Sequence, residues 1–412
     1  MSVPPDARSL NRPDPRSLPV AVLLTALVAF GPISTDMYLP SLPDMTRAFD
    51  TTVSHVQLTL SVFIAGFACG MLVYGPLSDR FGRRPVLLGG VALYMLASVA
   101  CLFAPTIEAL IVSRFVQAIG ACAGPVLARA VVRDVYTREE GARMLSYMAS
   151  AMALAPAVGP ILGGWLHATL GWRSNFGALT LFGVAVLAAT WWMLRETNTR
   201  RDPLALKPSR MLRNYASLFA SRVFMGYTLT VGFAFGGLFS FISGSSFVVI
   251  DVLGVAPSNF GYVFAAVVVG YMSGAFSSAK LTMKLGIERV LLIGTALATA
   301  AGGIVAALAL SGIQEVAAIV APMIVYFFAC ALIIPNGTAG AIGPFPSKAG
   351  TVSALLGFLQ MSLGATAGGL VGLFHNGTTV PMTVTIALMG AASLAAYAFI
   401  VRGAVEVPEE AS

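Results

Sequence analysis

The sequence predicts an all-α membrane protein, with twelve transmembrane helices arranged as two six-helix bundles. Three observations carry this. Of 412 residues, 57% are hydrophobic and only 10% are charged. The mean hydropathy is +0.83. Apolar runs recur at about the 20-residue length that a bilayer core demands. Soluble domains carry about 25% charged residues, so this chain could not cover a water-facing surface. A single soluble domain, a DNA-binding module and a disordered scaffold are set aside on that ground. Lipid is the solvent that remains.

Residues 1–17 read as a disordered cytoplasmic tail, because the first 19 hold five prolines and three arginines. The first apolar run, Val20 to Leu39, is broken only by Ser34–Asp36. It exceeds the roughly 7–15-residue core of a signal peptide and is kept as a span. Helices 1 to 6 are expected near 18–40, 54–74, 86–104, 107–128, 143–165 and 175–194. The polar stretch 195–221 reads as a central cytoplasmic linker. Helices 7 to 12 follow near 222–248, 260–278, 290–310, 316–338, 350–372 and 380–401, and residues 402–412 form a second tail. The bundles therefore cover 18–194 and 222–401. Aligning Gly82 with Gly286 pairs DRFGRRPVLL with MKLGIERVLL, a weak repeat of the kind that parallel transporter halves show.

Basic residues orient the chain. With the N-terminus inside, 22 of 25 Lys and Arg fall in cytoplasmic segments and only Arg47 and Arg173 fall outside. Both termini are thus placed in the cytoplasm. The net charge of +7 follows from this asymmetry, so nucleic acid is not an expected partner. The four cysteines (Cys69, Cys101, Cys122, Cys330) lie in apolar runs without a CxxC pair, as small packing residues do.

Of the 18 Asp and Glu only Asp36, and of the 25 Lys and Arg only Arg114, fall well inside predicted spans. A charge there costs at least ~2.5–3.5 kcal/mol on insertion scales, so it must face protein or a wet cavity. Asp36 lies about 6 Å from the outer end of helix 1, and Arg114 about 10 Å from that of helix 4, at 1.5 Å per residue. Neighbouring helices would let them share one cavity. Two readings stay open: a static pair that fixes packing, or a proton carrier tuned by the arginine. The second requires that Arg114 not stay clamped on Asp36. Backbone carbonyls or Gln117, one turn along the same face, are the alternative partners, with an inert polar role for Gln117 as the other reading.

GPLSDRFGRRP (Gly75–Pro85) resembles the loop signature between helices 2 and 3 of the major facilitator superfamily. LIVSRFVQAIG (Leu110–Gly120) resembles its helix-4 motif, with Arg114 as the arginine. ALAPAVGPILGG (Ala153–Gly164) resembles its helix-5 antiporter motif, with Gly159, Pro160, Gly163 and Gly164 in matching positions and Ala155 in the first glycine slot. ISTDMYLPSLP, VVRDVY, FGYVFA and the stretch Gln57–Gly90 narrow the resemblance to the bicyclomycin-resistance (Bcr/CflA) branch of drug–proton antiporters. The resemblance implies alternating access, protons as coupling ion and no other cofactor. It also implies a bacterial inner-membrane location and Asp36 as the proton and substrate site. Where some relatives carry a second acid, this chain has Val28.

Physical reasons for the motifs are legible. Asp79 can cap the positive end of helix 11 near Gly350–Thr351. Arg80, Arg83 and Arg84 can bridge to Asp134 or helix-end carbonyls, making with Gly75 and Gly82 a conformational latch. Met283 fills the Asp79 slot of the second half, so only one half keeps it. GxxxG faces at Gly66/Gly70, Gly159/Gly163, Gly270/Gly274 and Gly364/Gly368 suggest close pairing of helix 5 with 8 and 2 with 11. Candidate substrate contacts are Met148, Met152, Phe235, Phe239, Asn336 and Gln360, since Met and Phe make adaptable walls and the amides could orient cargo.

The expected function is a proton-coupled exporter of small amphipathic drug-like compounds, acting as a monomer in the lipid bilayer. The alternative is a proton-coupled uptake symporter for a small metabolite. An enzyme is not expected, because His55, His167 and His375 stand singly, and no Walker loop is present.

Overall fold

The computed structural model describes residues 13–199 and 201–402. Arg8, Arg12, Arg200 and most of both tails lie outside the described residues. Among those described, the chain is helical with no strand. Helix 1 is broken into Leu18–Val28 and Phe30–Ala48, bent by 45°. Helices 2 to 6 span Val53–Phe81, Arg83–Leu102, Ile107–Val135, Arg138–Leu170 and Arg173–Met193. Helices 7 to 12 span Arg222–Val252, Pro257–Leu285, Ile287–Leu310, Val316–Ile342, Ala349–Leu373 and Val380–Val401. Eleven continuous helices are long and apolar enough to cross a membrane, and the bent pair makes twelve.

Local chemistry sets the ends. Thr52 and Thr106 cap helices 2 and 4 through their side-chain oxygens, and Thr137 with Glu140 forms a capping box on helix 5. Gly82 and Gly286, the repeat partners, end the second helix of each half at φ +104° and +78°, where a side chain would be strained. Several helices run past the expected boundaries. Helix 2 continues from 74 to Phe81 because its last turns need no lipid, only intact backbone bonds. The linker holds a further helix, Pro208–Phe219. The expectation of a disordered tail through residue 17 fails at Arg16, which donates to the Val135 carbonyl at 3.1 and 3.2 Å.

Helices 1–6 pack as one bundle and 7–12 as the other. Helix 5 runs along helix 8, and helix 2 along helix 11. The helix pairing is as expected, but the glycine faces do not make it. Gly66 and Gly70 approach Phe115 and Cys122 of helix 4, and Gly159 and Gly163 approach Asp36 and Met37 of helix 1. Gly270 and Gly274 meet Ile324 and Phe328 of helix 10, and Gly364 and Gly368 meet Phe235 and Phe239 of helix 7. Gly66, Gly163, Gly270 and Gly274 meet backbone there, whereas Gly70, Gly364 and Gly368 meet side chains, and both kinds of contact tighten the inside of a bundle. At the seam between bundles other glycines make the approach: Gly261 meets the Ile161 backbone, and Gly357 and Gly372 meet the side chains of Met71 and Gln57.

The two ends of the seam differ. At the end away from the termini, Ser54 Oγ donates to the Gly372 carbonyl at 2.6 Å, and Gln57 Nε2 to that of Ser243 at 2.9 Å. Gly164 sits against Pro257 there. At the end carrying the termini and linker, Gly75 and Gly350 have nothing within 4 Å of where a side chain would begin. Among the described residues, the side-chain hydrogen bonds that cross directly from one bundle to the other lie at the far end, so the cleft is shut there and parted at the terminal end.

Candidate functional site

Pro32 explains the break in helix 1. It lacks an N–H, and its ring clashes with the carbonyl four residues back, at Val28. The second segment carries Asp36, which is 2% exposed. Thr35 Oγ1 lies within hydrogen-bond reach of the Gly31 and Pro32 carbonyls, each at 3.1 Å. The same hydroxyl donates to Asp36 Oδ1 at 3.0 Å. The glycines of helix 5 make room for this segment: a methyl group on Gly159 would touch the Asp36 Cβ at 3.4 Å, and one on Gly163 would collide with the Met37 carbonyl. The helix-1 acid and the helix-5 motif are therefore one packed unit, with Pro160 inside the same helical stretch.

Arg114 is fully buried, at 0% exposure. Its Nη1 donates to Gln117 Oε1 at 2.6 Å. Gln117 Nε2 donates to Ser98 Oγ at 2.8 Å. Ser98 in turn bonds the Tyr94 carbonyl, and the Tyr94 hydroxyl bonds Ser34 Oγ at 2.8 Å. The network thus ends on helix 1, two residues before Asp36. Rings hold the guanidinium: Phe63 at 4.1 Å, Tyr38 at 4.5 Å and Phe176 at 5.9 Å from their centroids. Among the described residues, Nε and Nη2 find no hydrogen-bond partner. Desolvated ring contacts are worth up to ~2 kcal/mol each, and orphaned donors cost about 1–3 kcal/mol each. The two effects oppose each other. Among the described residues, no ion pair includes Asp36 or Arg114.

The loop signature makes a charged cluster within the first bundle. Arg83 donates to Asp79 and Ser78 at 2.6 Å each, and to Asp134 at 2.9 Å. The expected cap of Asp79 on helix 11 is absent, because the bundles are parted at this end and Arg83 lies one turn from Asp79. Arg84 bonds the Leu194 and Trp191 carbonyls at 3.0 Å, and Arg80 stacks on Phe81. Glu196 was not foreseen. Its carboxylate accepts from the backbone N–H of Arg83 and Arg84 at 2.8 and 3.2 Å, capping helix 3, and it packs over Gly82.

Candidate substrate contacts divide. Met152 and Phe235 are half-buried, whereas Met148 and Phe239 are buried in packing. Gln360 is buried on helix 11. Asn336 is engaged inside its own bundle, donating to Ser278 Oγ at 3.0 Å and accepting from Thr282 Oγ1 at 2.8 Å. Sequence reasoning missed the ring cage of Arg114. Tyr38, two residues beyond Asp36, carried a faint signal as a polar aromatic at membrane depth; Phe63 and Phe176 carried none. It also missed that His167 pairs with Asp44 at 2.7 Å.

The model of the Major Facilitator Superfamily matches residues 23–369. A bicyclomycin resistance protein homolog of Haemophilus influenzae is 31% identical over 92% of this chain and 94% of its own. A chloramphenicol resistance protein of Pseudomonas aeruginosa is 34% identical over 88% and 86%. In fold, a D-xylose-proton symporter superposes with a TM-score of 0.74 at 14% identity, over 95% of this chain and 99% of that one. The chain belongs to the major facilitator superfamily of membrane transporters.

Proposed function

We propose that the chain is a proton-coupled exporter of small amphipathic, drug-like compounds, working by alternating access across the bacterial inner membrane. In this reading the terminal end is cytoplasmic, the arrangement described is inward-facing, and a single chain suffices. One observation carries it. Asp36 is buried with Thr35 as hydroxyl donor and with no basic partner, while Arg114 has turned to Gln117. Desolvation penalises only the ionised form of such a carboxyl, and taking up a proton removes the penalty. Cargo and proton then compete for the region around Asp36.

In this reading Arg114 acts on the carboxyl through the chain Gln117–Ser98–Tyr94–Ser34 without pairing with it. The cluster of Asp79, Arg83 and Asp134 acts as the latch, held here within one bundle and released when the terminal end closes. A proton driven inward by ~100 mV gains about 2.3 kcal/mol, enough for tens-fold accumulation of cargo. The names of the two resistance relatives support a drug-like cargo.

Everted vesicles with a pH-sensitive dye test the reading. Chloramphenicol or a related compound, added outside, discharges the gradient with the wild-type chain and fails to with Asp36→Asn. An uptake symporter gives no discharge in this geometry. Persistence of discharge in Asp36→Asn removes the carboxyl from the mechanism.

A further inference from the structure

Arg129 stands apart from the cytoplasmic arginines with which its sequence position groups it. It lies on helix 4, six residues before the helix ends at Val135, or about 9 Å in. Its Nη2 reaches Met152 Sδ on helix 5 at 3.7 Å. Met152 lies fourteen residues, or about 21 Å, from the start of that helix at Arg138. The two helix ends are joined by Tyr136 and Thr137 alone, so both depths count from one level. The side chain therefore points toward the middle of the bundle. A basic residue that only marks topology does the reverse and stretches to the head groups. Helix polarity favours the inward direction, since each Cα–Cβ bond tilts toward the helix N-terminus, here the far end.

Arg129 is nevertheless exposed. Helix 1 fills the space between helices 4 and 5 and is itself backed by helix 6. A side chain that bridges 4 to 5 thus crosses the face of helix 1 that looks into the parted cleft. No carboxylate pairs with it among the described residues. Asp79 and Asp134 are engaged by Arg83. Asp36, packed at Gly159, lies seven residues or about 10 Å further along helix 5 than Met152. In the second bundle, helices 10 and 11 contain no Asp, Glu, Lys, Arg or His, helix 7 carries only Arg222 and Asp251 near its two ends, and helix 8 adds only Lys280 and Lys284 near its terminal end. A molecule entering from the terminal end meets a guanidinium that no carboxylate neutralises, among the described residues, before it meets the carboxyl.

We propose that Arg129 sets the charge class of the cargo: neutral or anionic amphiphiles are admitted and permanent cations are turned away. A guanidinium offers carboxylates and phenolates a planar, two-pronged donor in a site with little water. A monocation held ~5 Å from it, in an effective dielectric of ~20, is disfavoured by roughly 100-fold. This rests on the export reading for the direction of entry, but the selectivity is a property of the cleft.

The test uses purified protein in detergent and three probes with one apolar body: naphthylacetate, naphthylacetamide and naphthylmethyl-trimethylammonium. Binding is followed by equilibrium dialysis, and the readout is the ratio of carboxylate to ammonium affinity rather than either alone. Wild type binds the carboxylate and amide, with the ammonium about 100-fold weaker. Arg129→Lys, the control for folding, keeps the order. Arg129→Gln brings the ratio to within a few-fold of one, and Arg129→Glu inverts it. The proposal is overturned if wild type binds the ammonium as well as the carboxylate, if none of the three binds, or if Arg129→Gln leaves the ratio unchanged. Binding in the expected order without discharge in vesicles overturns the export reading and leaves the selectivity standing.

Discussion

Gln57 of helix 2 donates to the carbonyl of Ser243 in helix 7 at 2.9 Å, and the bond crosses from one bundle to the other. Ser54, one turn away, makes the second crossing to Gly372. Both lie at the far end, and the hydroxyls of Ser61, Ser243 and Ser246 and the Gln57 Oε1 are buried there without partners. A polar seam of this kind separates more easily than an apolar one, because water satisfies the orphaned atoms once it opens.

Breaking the crossing bonds therefore shifts the resting population toward the state open at the far end. A neutral hydrogen bond is worth about 0.5–1.5 kcal/mol, so Gln57→Ala combined with Ser54→Ala favours opening by roughly 5- to 150-fold. Spin labels at the far ends of helices 2 and 11 report the distance distribution. A distribution identical to that of wild type counts against a role for these bonds in closure.

Arg114 separates stability from transport. Arg114→Leu removes a buried charge with two orphaned donors along with the ring contacts that offset them, so folded stability in detergent stays level or rises. Transport falls below a tenth of wild type, because the partner that tunes Asp36 is gone. Arg114→Lys keeps the charge but loses the planar group that stacks on Phe63 and Tyr38, and a compact ammonium is harder to desolvate. The lysine variant is thus the less stable of the two, measured by thermal unfolding followed with a thiol-reactive dye.

These two sites show how far the sequence reaches. Apolar run lengths gave the helix count, and Asp36 and Arg114 stood out because each was a charge where lipid tolerates none. Gln117 as the partner of Arg114 followed from helical spacing alone. What lay beyond reach depended on which helices meet at which height. GxxxG spacing announces a close approach but does not name the partner, so glycines that stitch each bundle internally were assigned to the seam. Arg129 was grouped with cytoplasmic arginines because a sequence position gives the depth of a Cα, not the direction of a seven-atom side chain. The Asp79 cap failed for another reason: it belongs to a contact between bundles, and sequence carries no record of which state is occupied.

Glycine substitutions separate joint from seam. A methyl group at Gly163 collides with the Met37 carbonyl, which is fixed backbone beside Asp36. Gly163→Ala must push helix 5 off helix 1, at a cost of about 1–3 kcal/mol or more, and sharply lowers the yield of folded protein. Gly75→Ala faces open space and leaves yield unchanged in this state. Size-exclusion profiles of the tagged variants compare them directly, and equal monodisperse yields would contradict the packing described.

Glu196 gives the last prediction. Its carboxylate caps helix 3 at Arg83 and Arg84, and Asn198 reaches the Ser78 and Asp79 carbonyls at 3.2 and 3.1 Å. The start of the linker thus fastens the loop signature to its own bundle while the terminal end is parted. A charged cap on a helix N-terminus contributes about 0.5–2 kcal/mol. Glu196→Gln loses the charge and one acceptor, freeing Arg83 and Asp79 to seek partners across the cleft, so the closed terminal end gains population by roughly 2- to 30-fold. Spin labels at Arg143 and Lys284, on the terminal stretches of helices 5 and 8, read this as a shift toward shorter distances. An unchanged distribution, with helix 3 still folded, would mean that the linker only caps the helix and takes no part in holding the cleft open.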